Sequence, residues 1–107
     1  MEKGTLKYQQ GDVLLFQVGT LPDGCIKIKG NKGVLAEGET TGHAHRMARP
    51  VEMFQAPQSQ DVFMSVPKRM ELMHEEHATQ VIEPGMYRVG RVVEYDYVER
   101  EARNVQD

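Results

Sequence analysis

The sequence predicts an all-β fold, a small single-domain barrel or sandwich. Three observations predict it. Short runs of strand-forming residues recur along the chain, several of them alternate apolar with polar side chains, and Gly, Pro, Asn and Asp punctuate them about every eight to twelve residues.

The elements follow in order. "GDVLLFQVG" opens with the turn pair Gly11-Asp12 and runs into Val13, Leu14, Leu15, Phe16 and Val18. So dense an apolar run predicts a strand buried on both faces, or a bulge. "LPDGCIKIKG" carries a turn at Pro22-Asp23-Gly24. Cys25, Lys27 and Lys29 then alternate with Ile26 and Ile28, which predicts a half-buried strand. "GVLAEGE", "HAHRM", "VEMFQ" and "DVFMSV" are further short strands, broken by Arg49-Pro50, by the polar loop "APQSQ" and by Pro67. "PKRMELMHEEH" fits a helix capped by Ser65 or a strand starting near Met70. The β-like neighbours on both sides favour the strand. "TQVIEPGMYRVGRVVEYDYV" predicts a hairpin turning at Glu83-Pro84-Gly85, with a bulge or bend at Gly90 in its long second strand. The β domain is expected over residues 1–97. Residues 98–107 are expected to form an acidic polar tail or a short helix.

Composition narrows the function classes. At 107 residues, 39% hydrophobic and 27% charged, the chain has the size and make-up of one folded domain. No apolar run approaches the ~20 residues that span a bilayer, and "MEKGTLKYQQGD" lacks the apolar core of a signal peptide. Cys25 is the only cysteine, so no internal disulfide forms. A cytoplasmic protein with no membrane partner is the expectation. The net charge of −3 resides in the segment from Glu94 to Asp107, and the rest is near neutral. The nearest basic run, Lys27, Lys29 and Lys32, reads as protection of a strand edge, and no duplex nucleic acid is expected as a partner.

The histidines carry the chemistry. All four fall in two pairs, "HAH" at His43 and His45 and "HEEH" at His74 and His77. Side chains at i and i+2 of a strand point the same way, so His43, His45 and Met47 should share one face. His74 and His77 converge if a turn follows the strand. Imidazole is the commonest protein ligand for zinc and also suits nickel and iron. A strand supplying two ligands and a second element supplying more fits a three- or four-coordinate site. Glu39, four residues before His43, is the expected extra ligand. Glu75 or Glu76 is the expected general base on metal-bound water. The cofactor class is therefore a divalent transition metal: zinc, nickel or iron. The plainer alternative is two solvated histidine pairs, or histidines at the interface of a homo-oligomer.

Other motifs point elsewhere or nowhere. "HEEHA" is not the helical HExxH pattern, because only two residues separate its histidines. There is no Walker loop and no GxGxxG, and Ser59 and Ser65 lack the context of a nucleophile elbow. Cys25 reads as a small packing residue, and the many methionines as flexible core filling.

With HxH on a strand, further β segments and a "PGMY" turn, the chain resembles a minimal cupin. That resemblance implies a small β-barrel in which His43 and His45 are paired metal ligands and His74 is a third. It also implies cupin-like isomerase or oxygenase chemistry on a small-molecule substrate. Where that family carries a later Glu, this chain has Arg49 and Pro50. The combination "GDV…TGHAH…HEEH…PGMYRV…EYD" is also similar to small uncharacterised bacterial and phage proteins, a likeness that implies no activity. Three function classes follow: a metal-dependent enzyme, including a metal-assisted hydrolase; a non-catalytic β module acting by self-association or protein binding; and a metal-sensing or metal-delivery module.

Overall fold

The computed structural model describes residues 4–30, 33–37 and 43–92. Glu39 and the segment 98–107, expected as a ligand and as a tail or short helix, lie outside the described residues. Among the described residues there is no helix. Ten strands form two antiparallel sheets: β1 (Thr5–Gln10), β2 (Val13–Val18), β3 (Ile26–Lys27), β4 (Val34–Glu37), β5 (Ala44–Met47), β6 (Glu52–Gln55), β7 (Val62–Val66), β8 (Met70–Met73), β9 (Gln80–Ile82) and β10 (Gly85–Arg91). The larger sheet runs β1-β2-β10-β7-β6-β3 and the smaller β4-β5-β8-β9. Among the described residues each sheet keeps two free ends, so the all-β fold they form is a two-sheet arrangement and not a closed barrel.

One apolar core fills the space between the sheets. Val13, Leu15, Met53, Met64, Val66 and Tyr87 face it from the larger sheet, and Met47, Leu72 and Ile82 from the smaller. Period-two alternation produces this division. In β7, Val62, Met64 and Val66 turn inward, while Phe63 turns to the opposite face. There Phe63 joins Val18 and Ala56 in a second cluster, against which Leu21, Cys25, Phe54 and Met86 pack. The larger sheet is thus covered on both faces along β2 and β7, as the unbroken apolar run of β2 predicts. Cys25 packs as a small apolar side chain.

Three local expectations are corrected. Glu83-Pro84-Gly85 does not close a hairpin: β9 pairs with β8, whereas β10 pairs with β2 and β7. The segment is a corner at which the chain changes sheets. Its backbone is held by two tyrosines. The Glu83 N–H donates to Tyr8 Oη (3.1 Å), and Tyr87 Oη donates to the Glu83 carbonyl (2.7 Å). Turn chemistry reverses the chain but does not choose the strand that it pairs with. Gly90 sits in unbroken register with Leu14, with no bulge. A Cβ there would lie 3.1 Å from the Phe16 ring, so close packing of that ring is what the glycine permits. Finally, the predicted half-buried strand around Lys27 shrinks to β3, an edge pair in which Ile26 is 64% exposed.

A tight hairpin lies at Gly11-Asp12, between β1 and β2, with Gln10 opposite Val13. Gly11 has φ +57°, and a glycine first in a two-residue loop is the arrangement a type II′ turn needs. This hairpin carries Gln10 and Asp12 to the same end of the molecule as the end of β8 and the start of β5.

Candidate metal centre

Both histidine pairs arrive at one place. His45 lies in β5, and His43 directly precedes that strand. β8 pairs with β5 through Met73 opposite Arg46 and Leu72 opposite Met47. His74 follows β8 at once, and His77 follows in the bend after it. The sheet register therefore brings the two pairs side by side. His74 is the hub. Its ring centroid lies 4.2 Å from His45, 4.6 Å from His77 and 5.6 Å from His43. His45 and Met47 are both buried, while Arg46 between them is exposed.

His45 is the fixed member. It is 5% exposed, and its Nδ1 lies 2.9 Å from Gln10 Oε1. Gln10, itself 2% exposed, donates its amide hydrogens to the carbonyls of Leu72 (2.8 Å) and Ala78 (2.9 Å). Carbonyls only accept, so they fix which end of the Gln10 amide is nitrogen and leave Oε1 towards the imidazole. Oε1 also only accepts, so Nδ1 of His45 must carry a proton. In the neutral ring the lone pair is then on Nε2. That nitrogen faces Asp12 Oδ1 at 3.5 Å. Two acceptors therefore stand opposite each other at the edge of the core.

The electrostatics favour a neutral His45 and an ionised Asp12. Burial, with His74 beside it, pushes the His45 pKa below the usual histidine value, against the pull of Asp12. Hydrogen bonding from Arg91 holds Asp12 below the usual carboxylate value. Arg91 Nε donates to Asp12 Oδ2 at 3.1 Å, and Nη2 reaches the same oxygen.

His77 is exposed and rests against the hairpin. A Cβ at Gly11 would lie 2.6 Å from His77 Nε2, so the position is closed to any other residue unless the ring moves. His74 accepts the Glu76 N–H on its Nδ1 at 3.0 Å. In the neutral His74 ring the proton is then on Nε2, and an ion bound through His74 displaces either that proton or the Glu76 bond.

Glu75 and Glu76 sit beside the cluster. Glu75 Oε1 accepts the Ala44 N–H at 3.0 Å, and this bond holds the carboxyl below its usual pKa. Glu75 Oε2 stands 4.0 Å from Arg46 Nη2, and Glu76 Oε1 lies 3.7 Å from His43 Nδ1. Potential ligand atoms gather in two groups, each within 4.8 Å: His45, His74 and His77; and His43, His74 and Glu75.

Sequence reasoning singled out the four histidines, Glu75 and Glu76. It missed Gln10 and Asp12. The Gly11-Asp12 turn pair was visible, but nothing in "KYQQGD" marks Gln10 as a buried residue that orients a ring 35 positions away.

No curated protein and no solved structure matches the chain. A family model described as a domain of unknown function, DUF8820, matches residues 9–92, a span that runs from just before Gln10 to just after Arg91 and so takes in the whole cluster. The chain belongs to that family.

Proposed function

We propose that this domain binds one divalent transition metal through His45, His74 and His77, with Asp12 beside the ion. One observation carries the reading. The Gln10 amide fixes the His45 tautomer so that Nε2 offers a lone pair, and that lone pair faces a carboxylate oxygen. A cation between them removes the repulsion. Metal-ligating histidines commonly donate their other ring N–H to a fixed acceptor, and Gln10 Oε1 takes that place here.

The donor set fits the ion. Nitrogens each about 2.1 Å from a metal stand at most about 4.2 Å apart. The histidine atoms lie within 4.8 Å of one another, so rotation of the exposed His77 ring and release of the Glu76 bond by His74 close the difference. Three imidazoles suit zinc, nickel or iron, and such a site leaves an open position for water or a small-molecule substrate. In that case a divalent ion supplies Lewis acidity, and Glu75 or Glu76 is the base within reach. We read the likeness to cupins as one of site, a strand-borne HxH joined by a later histidine, within two open sheets.

The test is elemental analysis of untagged protein together with zinc, nickel and iron(II) titration. One ion per chain is expected, absent in His45→Ala. A parent protein that carries none of the three metals, and whose thermal midpoint none of them raises, overturns the reading. The self-association alternative keeps one observation in its favour, the exposed Ile26 on the edge strand β3. A chain-concentration-dependent mass, lowered by Ile26→Lys, is its signature.

A further inference from the structure

The four rings do not share a single centre. They form two triads that overlap only at His74. The inner triad includes the buried His45 and its Gln10 anchor. The outer one, His43, His74 and Glu75, borders an open groove of about 260 Å³ lined by Ala44, Arg46, Met73, His74 and Glu75. A neutral imidazole has one lone pair, so His74 serves one ion at a time.

The geometry points to a second metal seat, formed by His43, His74 and Glu75, that receives a divalent ion from solvent and passes it across the His74 ring to the inner seat. This rests on the metal-binding reading above. Three features support it. Glu75 is already oriented, because the Ala44 N–H holds Oε1, and its Oε2 faces only a loose pairing, 4.0 Å from Arg46 Nη2, which an arriving ion displaces. Glu76 adds a second carboxylate beside His43, so the mouth concentrates cations. At the inner seat the carboxylate of Asp12 is already matched by Arg91. The ranking of the seats follows from ligand type: three imidazoles hold a borderline ion such as zinc or cobalt better than two imidazoles and a carboxylate. The ion therefore rests inside and enters from outside. His74 touches every other ring of the cluster, and turning that one ring moves its nitrogen from one triad to the other without a backbone change.

A loading seat lowers the barrier in both directions, and the test uses this. Cobalt(II) uptake is followed by visible absorption after rapid mixing. Release is followed by adding excess chelator. The proteins are the full-length parent, Glu75→Gln, His43→Ala and His77→Ala. In Glu75→Gln the amide oxygen can still accept the Ala44 N–H, so the fold is kept. The parent is expected to take one cobalt per chain. Glu75→Gln and His43→Ala should slow uptake and release together, each by about tenfold, the effect of a small rise in barrier. His77→Ala, which removes an inner ligand, should instead speed release. Uptake and release at parental rates in both outer variants overturn the seat while leaving the metal reading intact. So does faster release in either of them, which marks an ordinary ligand, or a parent that binds two cobalt ions. A parent that binds no cobalt ends both.

Discussion

Two polar constellations at the edge of the core join the β1–β2 hairpin to the smaller sheet and its corner, and they differ in how they end. At the tyrosine end, Tyr8 and Tyr87 meet with ring centroids 5.9 Å apart, and both hydroxyls are used on the backbone of Glu83. At the histidine end, Gln10 takes two carbonyls and one imidazole, and the chain of contacts then stops at a lone pair facing Asp12. The first network closes on the fold itself. The second is open on the side that faces solvent and three other imidazoles. Polar groups at the edge of a core are tolerated when they are satisfied. A constellation held this firmly, yet left one partner short, is what the proposed metal site rests on.

The largest effect is expected at Gln10. Gln10→Ala strands the buried Leu72 carbonyl, the part-buried Ala78 carbonyl and the His45 N–H, and should cost about 3 kcal/mol of stability in urea unfolding, along with metal affinity. Next is Gly11→Ala, which puts a Cβ against His77 in a backbone with φ +57°. About 2 kcal/mol of destabilisation is expected from the strained turn and the displaced ring. Zinc affinity should fall as well, and unchanged affinity would show that His77 does not need this hairpin. Tyr87→Phe sharpens the contrast from the other end. Tyr87 is fully buried, which pushes its hydroxyl pKa up to about 12, so it serves as a neutral donor. Losing that bond should cost about 1 kcal/mol while zinc titration curves stay superimposable.

The smallest expected effect is a pH dependence of the metal-free protein. The fold lowers the His45 pKa, and the unfolded chain titrates near 6.5. Between that value and the lowered folded one, the unfolded state binds more protons, so stability falls as pH falls. The contribution is complete above 6.5 and lost below the folded value. His74, His77 and Arg91 oppose the imidazolium, and Asp12 favours it. Asp12 adds a second loss below 3.8, by the same sign. Thermal midpoints measured in chelator from pH 8 to 5 check the first step, and His45→Gln should flatten it.

The strands were legible because their signal is local. Val62–Val66 alternates between two apolar environments, and the run Val13–Val18 fills both faces of one sheet. The corner at Pro84 was misread for the same reason that Gly11-Asp12 was noticed: each turn announces a reversal, and neither announces a partner. Gly90 shows the converse, a glycine whose purpose is a ring on the neighbouring strand. The histidine pairs stood out by grouping, and the expected partner acids Glu75 and Glu76 do sit beside them.

By itself the sequence determined the class of fold and the residue types that would do chemistry, since both depend on side-chain pattern over a few positions. Only the tertiary structure decided that β9 and β10 belong to different sheets. It alone brought Gln10, 62 positions from Leu72 and 35 from His45, into place to set the tautomer of an imidazole. Hydrogen bonds of that reach are chosen by sheet register, which is a property of the packed whole and leaves no mark on the neighbouring letters of the chain.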